Sequence, residues 1–112
     1  MINWARVAEL YSDFGEDSFA EIVDVFLAEV AEGLDKLRGA EDAKTLRAEF
    51  HFLKGAALNL GFDDIAAQCG EGEARAAAGS DSSAQKAQIL ADLPAACEAL
   101  ARDWREKLTA AP

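Results

Sequence analysis

Apolar residues recur along this chain at spacings of three and four, the period of a helix with one buried face. No stretch alternates with the period of two that a half-buried strand shows. The pattern predicts five helical segments. The first is short, from Trp4 to about Tyr11, with Trp4, Val7, Leu10 and Tyr11 on one side, and Phe14-Gly15-Glu16 breaks it. The second starts near Asp17 or Ser18, where Ser18 and Glu21 form a capping-box pattern. Its stripe is Phe19, Ile22, Val23, Phe26, Leu27, Val30, Leu34 and Leu37, and Gly39 closes it. The third runs from about Asp42 to Leu60, with Gly61 placed as a glycine C-cap.

The fourth begins at Asp63 or Asp64, whose carboxylates suit a helix N-terminus, and ends near Gly79. Gly70 and Gly72 inside it either weaken the helix or mark close packing. Gly79-Ser80-Asp81-Ser82-Ser83 is the one flexible-looking run. The fifth segment opens at Ser82 with Gln85 in capping-box spacing, and its stripe is Ile89, Leu93, Cys97, Leu100, Trp104 and Leu108. Pro94 predicts a kink there or a late start. Long helices with short connections predict an all-α fold. It is an antiparallel four-helix bundle, up-down-up-down, with the short first helix capping one end.

Length and charge narrow the picture. At 112 residues the chain suits one domain covering 1–112. The net charge of −10 argues against nucleic acid and against anionic lipid as partners. No apolar run reaches the ~20 residues that cross a bilayer, and the start Met1-Ile2-Asn3-Trp4-Ala5-Arg6 lacks signal-peptide character. A cytoplasmic protein is expected. Cys69 and Cys97 fall at apolar-facing positions, which reads as buried free thiols rather than a redox pair.

The single histidine, His51, changes the picture most. On a helical wheel with ~100° per residue, Lys44, Arg47, Ala48, Lys54, Gly55 and Leu58 fall within roughly 60° of it. The core stripe of Leu46, Phe50, Leu53, Ala57 and Leu60 centres roughly 130° away. The histidine face therefore carries three cations and no acid, in an acidic chain, and forms an anion-attracting patch. Gly55 lies one turn beyond His51. A mid-helix glycine costs about 0.5–1 kcal/mol relative to alanine, a cost that makes sense if a partner must approach the ring. A lone exposed histidine also occurs as a plain solvated side chain, and spacing alone leaves that reading open. So does it for Lys44 and Arg47. Phe14, Phe19 and Ile22 are either core or part of an apolar ring around His51. A metal site is poorly supported, with no second histidine and no acid at i+3 or i+4. No glycine-flanked serine elbow and no glycine-rich phosphate loop is present.

The run His51-Phe52-Leu53-Lys54-Gly55-Ala56-Ala57-Leu58-Asn59-Leu60-Gly61 resembles the signature of histidine phosphotransfer (HPt) domains. Cys69 followed by Glu73 is similar to that family's next helix. Ala56-Ala57 departs mildly from the family, where serine is frequent, and removes a hydroxyl contact. The resemblance implies a four-helix bundle that shuttles a phosphoryl group in a bacterial two-component phosphorelay. His51 is then the phosphoacceptor, Lys54 supplies charge for the phosphoryl group and Gly55 gives the partner access. Lys44, Arg47, Ala48 and Leu58 form the docking surface. The implied partners are receiver domains of response regulators and hybrid histidine kinases. No cofactor is implied, with Mg²⁺ held in the receiver. The chain would have no kinase activity of its own, and a free-standing monomer is expected because no kinase domain accompanies it. An adaptor that sequesters a receiver or kinase without being phosphorylated is the alternative. A phospho-accepting module of a chemotaxis-type kinase is another. A dimerising kinase helix is disfavoured, because no Glu-Leu-Arg-Thr-Pro-like run follows His51.

Overall fold

The computed structural model describes residues 2–109. Met1 and the final residues 110–112 lie outside the described part, and with them the chain ends on which the free-standing expectation rests. Four helices follow in order: α1 (Trp4–Gly39), α2 (Ala43–Asn59), α3 (Asp63–Ala77) and α4 (Ser83–Thr109). Each packs against two neighbours, in the cycle α1–α2–α3–α4–α1, and among the described residues no Cα atoms of the diagonal pairs come within 8 Å. Connections of only three to five residues turn each helix back along the one before it. Phe19 meets Trp104 between α1 and α4, Gly33 meets Leu53 between α1 and α2, and Phe50 meets Gly72 between α2 and α3. This is the expected antiparallel bundle.

The expected break at Gly15 is real. Gly15 has φ 78° and ψ 165°, a backbone that only glycine adopts readily, and it divides α1 into arms over 4–14 and 16–39. The second arm is helical directly after Gly15, so it starts before the Ser18–Glu21 box rather than at it. The first arm is capped by Asn3, whose side chain accepts from the Arg6 N–H. It is clasped to the α2–α3 turn. The Asn3 N–H donates to the Gly61 carbonyl at 2.6 Å, Asn3 Nδ2 donates to Asp63 at 2.9 Å, and Arg6 donates to Asn59 at 3.3 Å. Tyr11, Phe19 and Trp104 close that end of the core, with Phe19 edge-on to both other rings and Tyr11 tilted to Trp104.

The helix ends follow local chemistry. Asp42 caps α2 through the Thr45 N–H and hydroxyl. At the other end, the Phe62 N–H bonds to the Ala57 carbonyl and the Gly61 N–H to the Leu58 carbonyl. That is a Schellman closure with Gly61 at φ 78°. Gly79 ends α3 in the same way. The capping box expected at Ser82–Gln85 does not form. Asp81 accepts from the Ser83 N–H at 2.9 Å instead, and Gln85 Oε1 is buried without a partner. Nor does Pro94 delay α4, which runs through it with the proline ring exposed.

The core is the predicted one. Val23, Val30, Leu34, Leu37, Phe50, Leu53, Ala57, Ile89, Leu93 and Leu100 are buried along the bundle axis. Phe19 is also buried, so it belongs to the core and not to a docking ring, while Phe14 is exposed. Cys69 is buried and Cys97 partly so, both as free thiols. Burial pushes the Cys69 thiol up to about 12 and the Cys97 thiol up to about 11, so neither forms a thiolate near neutral pH. No helix of the described residues is long and apolar enough to cross a membrane.

Candidate functional site

His51 lies in the middle of α2 on its outward face, with its side chain 69% exposed. The helix faces separate as the wheel predicts, since Phe50, Leu53 and Ala57 are fully buried while Lys44, Arg47, Ala48, Gly55 and Leu58 are exposed. A Cβ built on Gly55 would meet nothing within 4 Å. The fold therefore has no packing reason for glycine there. Lys44, Arg47, Ala48 and His51 line a shallow groove that Glu73 completes from α3.

The local sequence of α3 brings Glu73 into place. Gly72 lies directly under Phe50, where a Cβ would come within 2.6 Å of the ring. A Cβ on Gly70 would meet only the stem of Lys54, at an ordinary 3.6 Å. These glycines weaken α3 by ~1 kcal/mol each on propensity alone. Burial of a phenylalanine ring, worth roughly 1.5–3 kcal/mol, offsets this and draws α3 close to α2. Gly72 marks close packing, whereas Gly70 has room for a Cβ.

Close approach puts a carboxylate on the histidine face, which is the main correction to the wheel. Glu73 Oε2 lies 2.8 Å from His51 Nδ1, and Lys54 Nζ donates to Glu73 Oε1 at 2.7 Å. The face has no acid of its own, as expected from α2, but the neighbouring helix supplies one. Lys54 is consequently not a free cation. One of its three N–H donors is engaged by Glu73, and its side chain is only about one-third exposed (34%). The hydrogen bond from Lys54, and after it that from His51, hold the Glu73 carboxyl below the usual glutamate range. An ionised carboxylate only accepts, so Nδ1 is the protonated ring nitrogen. Among the described residues Nε2 has no hydrogen-bond partner, on a side chain that is largely exposed.

Glu73 is the residue that reading α2 alone misses. Its signal in the sequence is its spacing from Cys69, together with the two glycines that flank its turn. The signature run itself divides in two. His51, Lys54 and Gly55 shape the site, whereas Asn59, Leu60 and Gly61 hold the α2–α3 turn and the first arm of α1. Among the described residues no group of three or more His, Cys, Asp or Glu is placed to hold a metal ion.

The Hpt domain family matches residues 21–103 of this chain. The phosphorelay intermediate protein YPD1 of the yeast Candida albicans is 34% identical over 74 residues, which cover 62% of this chain and 40% of that protein. The chain thus spans less than half the length of this relative. A yeast relative gives no support to the bacterial setting expected above. No solved structure matches.

Proposed function

The chain belongs to the Hpt domain family, and from that premise we propose that it carries a phosphoryl group on His51 between partners of a two-component phosphorelay. The observation that carries this reading is the state of the ring. Nδ1 is held by Glu73 at 2.8 Å, and Nε2 is unbonded on a face that Gly55 leaves bare. Nε2 attacks the phosphorus of a receiver's aspartyl phosphate in line. The N–P bond forms as the P–O bond to the aspartate breaks, and the electron pair leaves on the carboxylate. A ring that gains phosphorus at Nε2 while keeping hydrogen on Nδ1 is cationic. Glu73 faces that charge, fixes the ring's orientation and accepts the Nδ1 hydrogen bond throughout. Lys54 anchors Glu73 and retains two N–H donors for a phosphoryl oxygen. Charge neutralisation and positioning are what phosphoryl transfer needs from a protein.

Lys44, Arg47, Ala48 and Leu58 form the docking surface around the ring, and the whole chain serves as one domain. Receiver domains and hybrid histidine kinases are the partners, Mg²⁺ is held by the receiver, and the chain has no kinase activity of its own. It works as a monomer in the cytoplasm. Incubation with receivers labelled by radioactive acetyl phosphate tests the reading. Acid-labile label is expected on the wild-type chain and none on His51→Gln. Wild-type protein that takes label from no receiver or kinase sinks it, and equal signalling by His51→Ala in cells favours the adaptor alternative.

A further inference from the structure

Roughly a third of a turn around α2 from the cationic groove lies a second groove of about 320 Å³, between α1 and α2. It is lined by Glu29, Glu32, Gly33 and Lys36 of α1 and by Glu49 and Phe52 of α2. Phe52 is the residue next to His51, and its ring is 45% exposed, unusual for so large an apolar group. Gly33 makes room for it. A Cβ there would come within 2.9 Å of Leu53 and 3.0 Å of the Phe52 ring. Lys36 is turned to Glu32 at 3.5 Å. Among the described residues Glu29 and Glu49 have no hydrogen-bond or ion-pair partner, so the groove combines an open aromatic face with two unneutralised carboxylates. The surrounding arm of α1 deepens the negative field, because it carries no lysine or arginine between residues 13 and 35.

We propose that this groove takes a basic side chain, arginine by preference, from the receiver domain that docks on His51, and so fixes how that receiver is oriented. The inference rests on the carrier reading above. A standard interface covers roughly 800 Å² on each partner, so a footprint centred on His51 includes the adjoining residue Phe52 and its groove. An arginine suits the groove on each count. Its stem covers apolar surface, its guanidinium stacks on an aromatic ring, and its fork pairs with carboxylates. The two sides of α2 then have opposite sign. Lys44 and Arg47 face the receiver's acidic phosphorylation pocket, and Glu29 and Glu49 face its basic residue. Charges arranged this way set orientation and encounter rate more than total affinity. Rotating the partner by half a turn about the histidine would oppose like charges on both sides.

The test uses full-length protein and a panel of purified receivers phosphorylated with acetyl phosphate. Labelling of the wild-type chain by phosphoramidate, a small histidine phosphodonor, tests the carrier reading by itself. For each receiver that transfers to wild type, Glu29→Gln with Glu49→Gln is expected to lower kcat/KM about tenfold, a change of one decade in affinity terms. The rate at saturating receiver stays the same, and the salt dependence becomes shallower. Glu29→Lys with Glu49→Lys is expected to lower kcat/KM further, with partial recovery when the receiver's matching arginine is changed to glutamate. Phe52→Ala weakens transfer without changing its salt dependence. Circular dichroism and Tm confirm folding of each variant. Unchanged kcat/KM and salt dependence in both glutamate pairs, with wild-type transfer intact, overturn the groove and leave the carrier reading standing. Absence of label from both phosphoramidate and every receiver overturns the carrier reading and the groove with it.

Discussion

Two mid-helix glycines on neighbouring helices are used in opposite ways. Gly72 of α3 is buried, and a Cβ there would strike the Phe50 ring at 2.6 Å. Gly55 of α2 is exposed, and a Cβ there would meet nothing within 4 Å. Helix propensity charges both positions about the same, about 1 kcal/mol. At Gly72 the cost is met inside the chain, by the ring that packs on it and by the approach of Glu73 to His51. At Gly55 nothing inside the chain offsets it. The seam between α2 and α3 is thus explained by folding, whereas no contact among the described residues accounts for glycine at 55.

The largest expected effect separates the two regions outright. His51→Gln should abolish acid-labile labelling while moving stability by no more than about 0.5 kcal/mol, as for an exposed position. A large fall in Tm would show that the histidine face is part of the folding seam after all. Next is Gly72→Ala, which overpacks the Phe50 contact and should destabilise by about 1–3 kcal/mol, read as a Tm lower by several degrees. It should also slow phosphotransfer, because Glu73 sits one residue on. A neutral Gly72→Ala would mean that α3 can step back freely, against the close packing described.

Gly55→Ala should have the opposite sign. The bundle should gain about 0.5–1 kcal/mol, measured by chemical denaturation, while transfer from receivers slows and labelling by phosphoramidate persists. Faster or equal transfer from receivers would remove the case for partner access. Smallest is the acid response of Glu73. Its carboxyl is held below the ordinary glutamate value by Lys54, so its contribution is present above the unfolded value of about 4.3 and is lost as pH falls through the lower folded value. Wild type and Glu73→Gln should therefore differ in stability at pH 7 and converge in acid. A gap that stays constant with pH would show that the Lys54–Glu73 bond is not what shifts it.

Much of this was legible along the chain because helical order is local. The apolar stripes, the Gly61 closure and the break at Gly15 each depend on residues within about one turn, and each is found where the pattern puts it. The capping box fails in the same terms. Ser82–Gln85 has capping-box spacing, but Asp81 reaches the first free N–H and Gln85 turns inward. Phe19, which spacing leaves open between core and docking ring, is enclosed by Tyr11 and Trp104 and belongs to the core.

The sequence by itself determined that α2 has two faces and that His51 stands on the outward one. The heptad-like spacing of Phe50, Leu53, Ala57 and Leu60 allows no other arrangement once a core must be buried. Only the tertiary structure decided what surrounds the ring. Residues 51 and 73 belong to different helices, and their meeting depends on how closely two backbones approach, which no periodicity within either helix encodes. Gly72 under Phe50 sets that distance. It turns a patch that reads as purely cationic into a histidine with Nδ1 fixed and Nε2 free.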